Sequence, residues 1–236
     1  MKQYEWLLLD VDDTITDNTR SVEGGYRKVC EVMQLPYEEE RFEQFIAFDC
    51  NFWREWESGN ISLPKDIPEG NKINWLRTRR FIHHFEGIDF NTAVRLNEIY
   101  SISLADKVYP IEGAIPFIEY VSSHYHLAVA SNTPLSSVGQ KLKKAGVLPY
   151  FDHVVVAEEF GIGKQDPEFF SLLMERIGFH HTNQIAIIGD SLTSDILGAS
   201  RAGIDTYWYN KEGKKLPKNI SCTMQFQSFD ELYSIF

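Results

Sequence analysis

The sequence predicts an α/β fold: a doubly wound, mostly parallel sheet, interrupted after its first strand by an inserted α-helical unit. Three observations carry that expectation. Residues Trp6 to Leu9 form an unbroken apolar run that stops abruptly at Asp10, Asp12 and Asp13, as in a strand covered on both faces. From about residue 106 to 209, short apolar runs alternate with amphipathic helical stretches, and strands joined by helices imply right-handed crossovers in a parallel sheet. Between about 20 and 105 only helical periodicity remains. The expected division is therefore 1–17 with 106–236 for the sheet, and 18–105 for the helical insertion.

Each element has its own signal. Strand one is the Trp6–Leu9 run. A helix is predicted from Glu23 to Met33, stopped by Pro36. A second, Glu38 to Glu57, carries Phe42, Phe45, Phe48, Phe52, Trp53 and Trp56, several at three- and four-residue spacing, which makes an aromatic face. Ser58 to Asn60 breaks that helix, and Pro64 and Pro68 mark a connecting loop before helices at Asn71–Phe85 and Asn91–Ser103. The chain returns at Tyr109-Pro110 to a helix over Glu112–Ser123 and a strand over His126–Ala130. A helix over Leu135–Ala145 and a strand over Val154–Val156 follow. Asp166 and Pro167 open the next helix as N-cap and first-turn proline. The strand Gln184–Ile188, a short helix to Ala202 and a last strand, Ile204–Tyr209, complete the pattern. Gly146, Gly178 and Gly203 each follow a helix, where a left-handed residue closes it.

Composition bounds the function. A chain of 236 residues with 43% hydrophobic and 14% aromatic residues buries a sizeable core. A net charge of −11 argues against nucleic-acid polymers and anionic membranes as partners. No apolar run reaches the length of a membrane span and the first residues lack a signal-peptide pattern, so a cytoplasmic protein is expected. Cys30, Cys50 and Cys222 are widely spaced without a CxxC, which suits reduced thiols. The His83-His84 and His180-His181 pairs are adjacent rather than four apart, which disfavours zinc.

The chemistry lies at the strand ends, where ligands bind in such sheets. Strand one ends in Asp10 and Asp12. Strand two ends in Ser131, Asn132 and Thr133, Lys164 follows strand three past Gly161-Ile-Gly163, and strand four ends in Gly189-Asp190 with Asp195 beyond. Taken singly, Ser131 suits a helix cap, Lys164 a solvated charge and Asp195 a first-turn carboxylate. Together, at four successive strand ends, they make a site of acids, a hydroxyl and a cation. Clustered carboxylates at a buried strand end repel one another, and a hard divalent cation relieves that repulsion.

These motifs, Asp10-Val-Asp12-Asp13-Thr14, Ser131, Lys164 and Gly189-Asp190 with Asp195, resemble the four motifs of the haloacid dehalogenase superfamily, whose core is Rossmann-like. The insertion after the first motif is similar to that family's helical C1-type cap. The resemblance implies that Asp10 is a nucleophile forming an aspartyl phosphate. It makes Asp12 the acid for the leaving oxygen and then the base for water. Ser131 and Lys164, with Asn132 beside them, would bind the phosphoryl oxygens. It assigns Mg2+ to Asp10, Asp12 through its backbone carbonyl, and Asp190, with Asp195 supporting that site from behind. Dehalogenases of this fold lack the second acid, because halide leaves without a proton. Lys164 is followed by Gln165 where relatives commonly carry proline.

The segment Phe48 to Ser62, with Tyr109 to Gly113, resembles the superfamily's 5′-nucleotidase branch. That implies a small phosphate-monoester substrate, a pyrimidine or modified nucleoside 5′-monophosphate. On physical grounds the aromatic face, with Trp53, suits stacking a base, and Arg54 or Asn51 suits reading its edge. The aromatics also suit a helix–helix core. Arg77, Arg79 and Arg80 suit either a solvated face or guidance of an anion. A sugar-phosphate or phosphoglycolate phosphatase, or a hexose-phosphate mutase, shares the same motifs. A phospho-accepting receiver and a retired binding protein on this fold are the readings from other classes. The sequence sets no oligomeric state.

Overall fold

The computed structural model describes residues 4–57, 60–62 and 72–236. Strand β1 (Trp6–Leu9) is buried along its whole length, as its unbroken apolar run requires. Its neighbours are β2 (His126–Ser131) and β4 (Ile185–Gly189). With β3 (His153–Val156), β5 (Asp205–Tyr209) and β6 (Met224–Phe226) they form a six-stranded sheet of order β3-β2-β1-β4-β5-β6, parallel at every pairing. The strand order reverses between β1 and β4. Leu9 pairs with Val129 on one side and Ile188 on the other, so Asp10 emerges level with the ends of both neighbours. A doubly wound sheet places its ligand crevice there.

The chain divides into two compact units, Met1–Asn18 with Val108–Phe236, and Thr19–Lys107. In the sheet unit, Leu7, Leu9, Leu127, Val129, Ala186 and Ile188 pack with Phe117, Ile118, Phe226 and Phe229 into one core. Helices α5 (Ala114–Val121), α6 (Leu135–Ala145) and α8 (Pro167–Ile177) connect the strands. Asp166 caps α8 by accepting a hydrogen bond from the Glu168 backbone N–H at 3.0 Å. Gly146, Gly178 and Gly203 adopt φ of 78°, 71° and 80°, the left-handed conformation expected of them.

The Thr19–Lys107 unit is helical. It contains most of α1 (Asn18–Met33), with α2 (Glu39–Glu57), α3 (Lys72–His84) and α4 (Phe90–Ser103). Tyr26, Phe45, Phe81, Phe85, Leu96 and Tyr100 form its core, so Phe45 on the predicted aromatic face of α2 packs helix against helix. Gly25 lets α1 approach α4 closely: a methyl group there would meet the Tyr100 ring at 3.0 Å.

Several elements depart from expectation. Helix α1 begins at Asn18 rather than Glu23, because Asp13 accepts a hydrogen bond from the Asn18 N–H at 2.8 Å and starts the helix early. A short helix α7 (Ala157–Phe160) follows β3, and β6 extends the sheet beyond the predicted last strand. The predicted helix ending at Ala202 is a π turn over Leu192–Gly198 running into the short α9 (Ala199–Arg201). Gly59, Pro64 and Pro68 of the predicted loop lie outside the described residues. No described helix is long and apolar enough to cross a membrane.

Candidate active site

At the C-terminal edge of the sheet the loops after β1, β2, β3 and β4 converge. Lys164, 2% exposed, donates to Asp10 Oδ1 at 2.5 Å and to Asp195 Oδ1 at 2.7 Å. Asp195 reaches it because of the π turn. The Asp195 and Ile196 N–H groups both donate to the Ser191 carbonyl, the wider spacing that turns the Asp195 side chain back towards the sheet. Its second oxygen accepts from the Ser191 N–H at 3.0 Å. Asp190 is anchored through its carbonyl, which accepts from the Trp208 indole at 2.8 Å.

Asn132 Oδ1 accepts from the Lys164 backbone N–H at 2.9 Å, tying the β2 loop to the lysine's loop. That loop has no proline after Lys164, and it is fixed by close packing instead. A methyl group at Gly198 would lie 1.9 Å from the Lys164 carbonyl oxygen, and one at Gly163 would lie 2.4 Å from Gln165 Oε1. At Gly189 an added methyl would meet the Asp195 carboxylate at 2.4 Å. The Ser131 hydroxyl accepts from the Thr133 N–H at 3.0 Å.

Asp12 faces a different set of partners. Its Oδ2 accepts from the Thr133 hydroxyl at 2.6 Å and its Oδ1 from the Lys141 ammonium. Lys141, wholly buried, also donates to Asn18 Oδ1 at 3.0 Å. Neither the Lys141 nor the Thr133 contact is predicted from the motifs. The signal for Lys141 is its position on the buried stripe of α6, with Ser137, Val138 and Leu142. A lysine at an apolar stripe position needs a buried acid. Asp13, with φ of 61°, turns its carboxylate to the start of α1 and away from this work.

The electrostatics separate the acids. Burial, reinforced by Asp195 and Asp12 and opposed by Lys164, pushes Asp10 up to about 7. Burial and the charges of Asp10 and Asp195 push Asp190 well above the usual carboxylate range. Burial works the same way on Asp12, but the Lys141 ammonium and the Thr133 hydroxyl outweigh it and hold that carboxyl below its ordinary value. Without substrate the Asp12 carboxyl therefore stands ionised. Burial disfavours the charged form of Lys164, yet Asp10 and Asp195 keep its proton bound well above the ordinary lysine value.

Asp10, Asp190 and Asp195 each bring an oxygen within 4.8 Å of the others. The Lys164 ammonium pairs with Asp10 and Asp195, and the raised pKa values of Asp10 and Asp190 reflect charge that it does not offset. An all-oxygen, anion-rich set of this kind fits a hard divalent cation. The Asp12 side chain is engaged elsewhere, which leaves only its backbone carbonyl for such an ion.

In the helical unit, Trp53 is half-buried against Phe52 and Arg54 is exposed. A groove of about 240 Å³ there is lined by Phe48, Asn51, Phe52, Arg79 and His83 among others, and not by Trp53 or Arg54. Arg79 lies over the Trp75 ring at 4.8 Å. Arg80 corrects the reading of a solvated basic face: it is 6% exposed and pairs with both oxygens of Asp49 at 3.0 Å. Cys30, Cys50 and Cys222 are free thiols.

A sheet carrying these four strand-end motifs in order defines a hydrolase, and the chain belongs to the haloacid dehalogenase-like hydrolase family, whose model matches residues 4–203. Among its relatives is YfnB of Bacillus subtilis, 29% identical over 235 residues that span 100% of this chain and 96% of that protein. The crystal structure of YfnB bound to magnesium superposes with a TM-score of 0.85 over 99% of both chains. The pyrimidine 5′-nucleotidase YjjG of Escherichia coli is 24% identical over 98% of this chain and 96% of its own. The pyrimidine 5′-nucleotidase PynA of Streptococcus pneumoniae is 26% identical over 98% of this chain and 92% of its own.

Proposed function

We propose that this hydrolase is a phosphomonoesterase that acts through a phosphorylated Asp10, with nucleoside 5′-monophosphates as its substrate class. The observation that carries the reading is the pair of acids on the β1 loop. Asp10 sits with Lys164 among the carboxylates, while Asp12 is held apart by Thr133 and Lys141. A phosphatase needs both, a nucleophile and a separate proton carrier.

An Asp10 oxygen attacks phosphorus, and the bond to the ester oxygen breaks as that oxygen takes a proton from Asp12. Asp12 is ionised in the free site and takes that proton up from solvent as the anionic ester binds beside it. In the second step Asp12, ionised by giving that proton to the ester oxygen, removes a proton from water. The water oxygen bonds to phosphorus and the Asp10–phosphorus bond breaks. Lys164, Ser131 and Asn132 hold phosphoryl oxygens, and the Lys164 charge offsets the repulsion between the Asp10 carboxylate and an anionic ester. Asp10, Asp190 and the Asp12 carbonyl are the proposed holders of Mg2+, with Asp195 supporting them. Such an ion supplies positive charge to the attacking and transferring oxygens when bound.

Full-length similarity to two pyrimidine 5′-nucleotidases supports the choice of substrate class. We assign selectivity to the helical unit, residues 18–105 in the division proposed from sequence, with Trp53 and Arg54 as substrate contacts. The test is phosphate release from a panel of nucleoside 5′-monophosphates and sugar phosphates with Mg2+. Preference for the nucleotides, with kcat/KM reduced by Trp53→Ala and Arg54→Ala, supports the reading. Selective hydrolysis of sugar phosphates overturns the substrate class and leaves the phosphatase chemistry standing.

A further inference from the structure

Lys141 occupies a position that packing alone would give to Leu or Met. It lies on the buried stripe of α6 beside Val138 and Leu142 and has no exposed surface. Burying an ammonium group is costly unless acceptors surround it, and an apolar residue of similar size usually stabilises as well or better. Its acceptors are Asp12 Oδ1 and Asn18 Oδ1, while the Thr133 hydroxyl takes Asp12 Oδ2 at 2.6 Å. Both oxygens of the Asp12 carboxylate are therefore gripped by side chains from the β2–α6 segment. The plane of the carboxylate is fixed by two donors, where a single hydrogen bond would leave it free to rotate.

We infer that Lys141 is a positioning residue which, with Thr133, aims the Asp12 carboxylate at the oxygen that leaves phosphorus. The inference rests on the phosphatase reading above and deepens it. Lys141 transfers no proton itself. Asp12 gives one to the leaving oxygen and recovers one from water, and Lys141 with Asn18 fixes where that exchange takes place. Misplacing a proton donor by a fraction of a bond length costs most where the leaving oxygen is strongly basic.

The experiment compares kcat/KM of Lys141→Met and the unaltered chain, with Mg2+, across monoesters from alkyl phosphates to nitrophenyl phosphate. kcat/KM reports steps through the transfer to Asp10, so slow hydrolysis of the intermediate does not mask the effect. The expected loss is about 100-fold for alkyl esters and below about threefold for nitrophenyl phosphate, which departs without needing a proton. Thr133→Val should show the same leaving-group dependence to a smaller degree, and it carries the test if Lys141→Met does not fold. An equal loss on every ester, or no loss on any, overturns the positioning role. An unaltered chain that hydrolyses neither ester overturns the phosphatase reading and this inference with it. An active chain whose variants show no leaving-group dependence overturns the inference alone.

Discussion

Asp10 and Asp12 are two residues apart and opposite in electrostatics. Burial among acids pushes Asp10 up to about 7, whereas Lys141 and Thr133 bring Asp12 below its ordinary value despite burial. The first consequence concerns metal and pH. In the metal-free fold Asp10 binds a proton that the unfolded chain would release, so between the ordinary carboxylate range and about 7 stability falls as pH rises. A cation on Asp10 and Asp190 displaces those protons. The rise in Tm on adding Mg2+ should therefore be larger at about pH 8 than at about pH 5.5. A shift independent of pH, read by thermal melts with and without chelator, would contradict the assignment of these acids. Asp10→Asn should abolish phosphate release, and unchanged turnover in that variant would remove Asp10 from the mechanism. Asp10, Asp12 and Asp190 are legible because they close apolar runs, and Lys164 and Asp195 because each lies in the segment just after such a run. Lys141 is not, because a lysine inside a helical stripe declares its partner only once Asp12 is brought to it from a distant strand.

Among the elements, the π turn at Leu192–Gly198 does most to shape the site. It aims Asp195 at Lys164, and its last residue lets the Lys164 backbone pass against it. Gly198→Ala would place a methyl group 1.9 Å from the Lys164 carbonyl. The expected cost is about 1–3 kcal/mol of stability by urea unfolding, accompanied by loss of turnover. Gly139 is the contrast: it lies within α6 with open space around its missing Cβ. Gly139→Ala should stabilise by about 0.5–1 kcal/mol. Equal effects from the two substitutions would show that the close approach at Gly198 is not what holds the loop. Most strands and the glycine-ended helices could be read from periodicity and turn residues. The π turn could not, since it shares its sequence pattern with an ordinary helix. Strand β6 has only three residues, and its place is set by pairing with β5.

For the whole molecule, the division into a sheet unit and a helical unit frames the remaining questions. The net charge of −11 would repel the anionic substrate proposed above, so its binding should depend on local cations such as Lys164 and the proposed Mg2+. The helical unit has its own electrostatic anchor in the Arg80–Asp49 pair, which Arg80 also stacks on Tyr100 at 4.6 Å. Arg80→Leu strands Asp49 and should cost about 3–5 kcal/mol in urea unfolding, whereas a loss near zero would return Arg80 to the surface. The central claim is that a phosphoryl group passes through Asp10. The most direct measurement is the intact mass of the Asp12→Ala variant, rapidly quenched during turnover of nitrophenyl phosphate with Mg2+. That ester needs no acid to leave, and the missing base slows the hydrolysis that follows. The account predicts one added phosphoryl group per chain, mapped to the peptide containing Asp10. Phosphate released with no phosphorylated chain, or a phosphoryl group on another residue, would contradict it.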